Sequence, residues 1–184
     1  PANVHRLAEV LKIAFADRAV ATADPAFVAV PVARLIDPAY ADERRQAIAM
    51  GEAKAWTAGV AAGPTLLPPE SPNTTHVTIA DADGNVVSAT QTINSVFGAR
   101  VMVPGPGMIA NNFMFNFDPH PGKALSIAPG KRVFPSQAPM MALKDGRIVF
   151  ALGLPGGLRI FGSAMQALIN LIDHGMPLQE AVEA

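Results

Sequence analysis

The residues of this sequence best suited to chemistry are the pair Thr74-Thr75, a further threonine at Thr92, and the run Leu154-Pro155-Gly156-Gly157. Asp81-Ala82-Asp83-Gly84-Asn85 separates two β-rich runs, and an Asp-Gly in that position signals a hairpin. If its loop has three or five residues centred on Asp83, residue i faces residue 166 − i, and Thr74 stands opposite Thr92 on one face. A one-residue change in the loop would put Thr75 there instead. Either way a local element brings two hydroxyls together, and one could serve as a nucleophile. Gly156 and Gly157 allow close backbone approach to a ligand. Their amides fall at the start of a helix beginning near Leu158, where N–H groups are unpaired and the dipole favours negative charge. That arrangement suits an oxyanion hole. Singly, each feature has an ordinary structural explanation: β-propensity for the threonines, a turn for Pro-Gly-Gly, a turn or cap for Asn111-Asn112.

The elements that would position these groups are legible in outline. Val4, Leu7, Leu11 and Phe15 recur at helical intervals and predict a helix over 4–16 with that stripe inward. A second helix is expected from about Asp42 to Trp56, after a loop carrying Pro25, Pro31 and Pro38. Residues 58–73 hold four prolines and two glycines without periodicity and read as a linker ending directly before Thr74. A second hairpin is expected at Met140–Leu152, turning on Lys144-Asp145-Gly146. The Pro/Gly-rich stretch 104–135 is long for a loop in a compact domain, which points to function. Leu158 to His174 reads as an amphipathic helix with Ile160, Ala164, Leu168 and Ile172 as its stripe and Gly175 as its C-cap. Helices, then antiparallel strands, then a helix imply the α+β class.

Composition narrows the functions. With 184 residues, 50% apolar and 16% charged, the chain can bury a core. A net charge of −1 without basic runs argues against a nucleic-acid partner. The absence of cysteine excludes disulfides, thiolate metal sites and cysteine nucleophiles. Four scattered histidines lack metal-ligand spacing, so neither metal nor cofactor is expected. No apolar run reaches the roughly 18 residues of a membrane span, and no signal peptide is visible.

The ordered motifs add to this. Thr74-Thr75-His76-Val77-Thr78-Ile79, Gln91-Thr92-Ile93-Asn94, Phe97-Gly98, Asn111-Asn112, Lys131-Arg132 and Gly153-Leu154-Pro155-Gly156-Gly157-Leu158-Arg159 resemble the small subunit of the γ-glutamyltranspeptidase family. Ala14-Phe15-Ala16-Asp17-Arg18 and Tyr40-Ala41-Asp42-Glu43-Arg44-Arg45 resemble the later part of its large subunit. The resemblance implies a single inactive precursor that cuts itself between Asn73 and Thr74. It divides the chain into a large-subunit-like region, 1–73, and a small-subunit-like catalytic region, 74–184. Thr74 would then be an N-terminal nucleophile with its own α-amine as base. Thr92 would help activate it, Asn94 would contact the bound acyl group, and the Gly156 and Gly157 amides would hold the oxyanion. The implied fold is the four-layer αββα sandwich of N-terminal-nucleophile hydrolases. The implied partners are a small-molecule amide substrate and the remainder of both subunits. Compartment stays open, with a periplasmic or extracellular parent favoured by the resemblance alone.

Three departures from the family pattern bear on substrate and completeness. Where transpeptidases carry a glutamine and then an acidic residue that grips the substrate α-amino group, this chain has Phe113 and Asn116. An amide cannot supply the charge that pairs with an ammonium. The serine pair that meets the α-carboxylate reads Pro135-Ser136. These changes suit a glutaryl group, a γ-glutamyl group without its amine, and so the family's cephalosporin acylase branch. True γ-glutamyl transfer remains the alternative. Thirdly, the chain is expected to be partial at both ends, without the arginine that binds the substrate carboxylate. An inactive, non-catalytic module is therefore a further alternative.

Overall fold

The computed structural model describes residues 2–60 and 73–184, so most of the expected 58–73 linker lies outside the described residues. The described chain forms two compact units, one taking residues up to 60 with Met114–Phe134, the other 73–113 with Pro135–Ala184. Helix and strand are both present, with strands paired as antiparallel hairpins, in keeping with the α+β class.

The first unit contains α1 (Ala2–Ala21), α2 (Val32–Leu35) and α3 (Pro38–Gln46). Helix α1 is longer than expected and buries a different face. Glu9, Ile13, Asp17 and Ala21 are inside, whereas Val4 is 71% exposed. Distant partners explain this. Glu9 accepts from Lys12 Nζ at 2.6 Å, Trp56 Nε1 at 2.6 Å and Lys54 N at 3.3 Å. Asp17 accepts from the Tyr40 hydroxyl and Gly59 N, each at 2.7 Å. A buried carboxylate is tolerated only with such partners, so they fix the helix's orientation. Burial, and then the Asp17 bond, push the Tyr40 phenol up to about 12.

The second helix is also displaced from expectation. Pro38 occupies its first turn and Asp37 caps it, accepting from Ala39 N at 2.9 Å. It ends at Gln46 rather than Trp56. Beyond it, Lys54 N and Trp56 Nε1 bond Glu9, and Thr57 O accepts from Arg44 Nη2 at 2.7 Å. The Pro/Gly-rich stretch contributes buried residues to this unit: Ala124, Leu125 and Phe134 are buried, as are Ile13, Ala21 and Tyr40. Asp24 accepts from Arg132 N and Nη2, each at 2.8 Å.

In the second unit, β1 (Thr74–Ala80) and β2 (Val86–Thr92) pair with Thr74 opposite Thr92 and Ala80 opposite Val86, the expected register. Its five-residue loop closes on the Asp81 carboxylate, which accepts from Asp83 N at 3.0 Å, Asn85 N at 2.9 Å and Asn85 Nδ2 at 2.8 Å. A short ribbon follows, β3 (Met102–Val103) with β4 (Met108–Ile109). The second hairpin joins β5 (Met140–Lys144) to β6 (Arg147–Leu152). Asp145 and Gly146 both have positive φ, 52° and 75°, as a type I′ turn requires. Strand β2 lies beside β6, with Ser88 Oγ 3.4 Å from Leu152 O. Helices α4 (Arg159–Ile172) and α5 (Leu178–Glu183) complete the unit. Ile160, Ala164 and Ala167 are buried, while Ile172 of the expected stripe is 63% exposed.

Candidate active site

Thr74 is the first residue of β1 and Thr92 the last of β2, so antiparallel pairing alone sets them face to face at one hairpin end. The Thr92 hydroxyl donates to the Asn73 carbonyl oxygen at 2.6 Å and accepts from Asn94 N at 2.9 Å. With one donor and one acceptor satisfied, its rotor is fixed. The carbonyl it meets belongs to the peptide bond between Asn73 and Thr74.

Asn94 holds φ at 75°, a left-handed conformation that asparagine tolerates better than most residues, and it is buried. The following segment is pinned by the paired asparagines. Asn112 Oδ1 accepts from Ser95 N at 3.0 Å, Asn112 Nδ2 donates to Ser95 Oγ at 2.7 Å, and Asn112 N donates to Ile93 O at 3.3 Å. Asn111 Oδ1 caps the next turn by accepting from Phe113 N at 3.0 Å. Gly98 is sterically required: a β-carbon there would lie 2.2 Å from Ala110 O.

Asn73, Thr74, Thr75, Gln91, Thr92 and Ile93 line an open cleft of about 430 Å³. All six side chains are uncharged. This lining therefore offers no charged side chain to the Thr74 hydroxyl.

Gly156 and Gly157 follow β6 at φ 137° and 58°, and their carbonyls accept from Arg159 N at 3.0 Å and Ile160 N at 3.3 Å as α4 begins. Among the described residues, neither glycine N–H donates to a protein acceptor. The hairpin thus brings together Asn73, Thr74, Thr92 and Asn94. Gly156, Gly157, Phe113 and Ser136 lie in the same unit on other elements, and Asn116 is buried in the first unit.

Sequence reasoning passed over His76. Its ring is seated between Thr90 and Thr78 on the Thr74 face, and the signal was the alternation of 74, 76 and 78 along one strand. Among the described residues, no helix is long and apolar enough to cross a membrane.

The family model for Gamma-glutamyltranspeptidase matches residues 1–184. The Acylase ACY 1 proenzyme of Pseudomonas sp. (strain SE83) is 76% identical over 181 residues, covering 98% of this chain and 31% of the relative. The glutathione hydrolase proenzyme of Pseudomonas aeruginosa is 42% identical over 199 residues, covering 98% of this chain and 33% of the relative. Among solved structures, the cephalosporin acylase from Bacillus halodurans matches with a TM-score of 0.77 at 29% identity, over 98% of this chain and 31% of that one. The chain spans about a third of the length of these relatives. Matched from end to end by that model, it belongs to the γ-glutamyltranspeptidase family.

Proposed function

We propose that this chain carries the self-cleavage site and the nucleophile of an amidohydrolase precursor. The observation that carries the reading is the Thr92 hydrogen bond to the Asn73 carbonyl, 2.6 Å long, on the peptide bond that precedes Thr74. In self-cleavage, Thr74 Oγ1 attacks the Asn73 carbonyl carbon, and negative charge gathers on the oxygen that Thr92 already serves. The C–N bond then breaks, the hydroxyl proton passes to the Thr74 nitrogen, and Asn73 becomes an ester on Thr74 Oγ1. Water hydrolyses that ester to the Asn73 carboxylate and a free N-terminal threonine.

In turnover the freed α-amine takes the Thr74 hydroxyl proton as Oγ1 attacks the substrate amide. Thr92, released from Asn73, becomes available to hydrogen-bond Thr74. The Gly156 and Gly157 amides hold the tetrahedral oxyanion and Asn94 contacts the acyl group. The amine product leaves, and water or an acceptor amine releases the acyl group. The uncharged cleft supports the α-amine as base, since its lining offers no other.

The fold we assign to the whole protein is the four-layer αββα sandwich, cut by cleavage into a large-subunit-like part ending at Asn73 and a small-subunit-like part beginning at Thr74. One face of the first hairpin supports this. Val77, Ile79 and Val87 are all exposed, as suits a sheet face that another layer covers. Asp24 and Arg132 would tie the two parts together after cleavage.

For substrate we favour a glutaryl-type amide over a γ-glutamyl one. Phe113 and Asn116 offer no carboxylate for an α-ammonium, and the chain is 76% identical to an acylase against 42% to a glutathione hydrolase. Competition between glutaryl- and γ-glutamyl-p-nitroanilide on the full-length protein tests this. The glutaryl compound should have the higher kcat/KM, and a clear preference for the γ-glutamyl compound would reverse the assignment.

A further inference from the structure

The face of the first hairpin that carries Thr74 continues as a polar stripe. Thr74, His76 and Thr78 on β1 stand opposite Thr92, Thr90 and Ser88 on β2. His76 is held at both ring nitrogens: Nδ1 lies 2.9 Å from Thr90 Oγ1 and Nε2 3.0 Å from Thr78 Oγ1. A hydroxyl can donate or accept, so either tautomer is satisfied.

The ring also abuts Gly153, the residue after β6. A β-carbon at Gly153 would stand 2.1 Å from His76 Cε1 and 2.3 Å from Nδ1, far inside contact distance, so the close approach depends on glycine. The preceding residue is tied to the same face through Ser88 and the Leu152 carbonyl. Three residues beyond Gly153 comes Gly156.

We propose that His76 is a positioning residue: its ring, seated against Gly153, sets where the loop carrying Gly156 and Gly157 begins relative to the strand that presents Thr74. This deepens the reading above and rests on it. Oxyanion donors act only when held within about 2.7–3.1 Å of the developing charge. A displacement of about 1 Å costs on the order of 100-fold in rate. Gly156 and Gly157 have no side chains with which to hold a position, so the loop takes its place from the residues at its root. Those residues are Leu152 and Gly153: Leu152 pairs with Met140 on β5 and its carbonyl meets Ser88, while Gly153 abuts the His76 ring. His76 acts through this loop and not on the substrate.

A double-mutant cycle on the full-length, self-cleaved protein tests this, with kcat and KM measured per mole of Thr74 N-terminus. Gly153→Ala displaces the ring, and His76→Ala removes it. Each should lower kcat roughly 10- to 100-fold while KM stays within about twofold, because ground-state binding is untouched. The double variant should be no worse than the poorer single one, since the clash disappears with the ring. Multiplying losses would overturn the inference, and so would an unchanged kcat per cleaved molecule with only the folded fraction reduced. If Gly153→Ala does not fold, Thr90→Val removes one hydroxyl clamp at constant shape. It should lower kcat several-fold, and an unchanged kcat sinks the proposal. Absence of cleavage and turnover in the unsubstituted protein overturns the underlying reading and this inference together. Normal cleavage with independent, multiplying substitutions overturns this inference alone.

Discussion

Thr92 donates its hydroxyl proton to the carbonyl oxygen of Asn73, and in the same geometry accepts the backbone proton of Asn94. One side chain therefore links the end of β2, the turn at Asn94 and the peptide bond before Thr74. If that carbonyl becomes an oxyanion during self-cleavage, Thr92 is its preplaced donor. Thr92→Ala should slow the appearance of a Thr74 N-terminus by about 100-fold, the usual loss for one such donor. Thr92→Ser should retain most of the rate. Timed intact-mass measurements on the full-length precursor read both, and equal rates for Ala and the native residue would remove Thr92 from the mechanism.

Glu9 gives a pH prediction. Hydrogen bonds from Lys12 and then Trp56 hold its carboxyl down to about 2, against an ordinary value of 4.5. A depressed carboxylate stabilises the fold fully above its unfolded value, and that contribution is lost as pH falls towards the folded one. Thermal stability should therefore decline between about pH 4.5 and pH 2, in part through Glu9. Glu9→Gln should lower the melting temperature near neutral pH and flatten that part of the acid profile. A Gln variant with the native profile would show that the Lys54–Trp56 segment is held by something else.

Asp24 precedes the proposed cleavage point and Arg132 follows it. The Asp24 side chain is 1% exposed, and the Arg132 guanidinium holds its carboxyl far below the usual range. Arg132→Ala leaves that carboxylate with backbone donors but without the guanidinium, so after cleavage the fragments should separate more readily at high salt or on heating. Arg132→Lys should recover part of the association without the bidentate geometry. Size-exclusion chromatography of the cleaved protein checks this, and identical behaviour of native and Ala forms would rule the pair out as a tie.

What the sequence disclosed depended on how local the deciding interactions were. The Thr74–Thr92 register followed from the Asp81–Asn85 loop because pairing propagates from a turn whose chemistry lies within five residues. The second hairpin followed from Asp145-Gly146 in the same way. The buried face of α1 did not, because Glu9 and Asp17 are satisfied by Trp56 and Gly59, more than forty residues away. The same distant bonds engage the segment after Gln46 that helical pattern alone assigned to α3. In the site, the place of Thr92 opposite Thr74 was legible, whereas the seat of His76 against Gly153 joins two separate hairpins and had no local signature.

In the proposed function, the bond between Asn73 and Thr74 is cut by Thr74 itself. Intact mass and N-terminal sequencing of the full-length protein after prolonged incubation, beside Thr74→Ala, test it most directly. Two fragments are expected, one beginning Thr74-Thr75-His76, and a Thr74→Ala protein that stays whole. A single uncleaved chain in both samples, or cleavage that persists in Thr74→Ala, would contradict it.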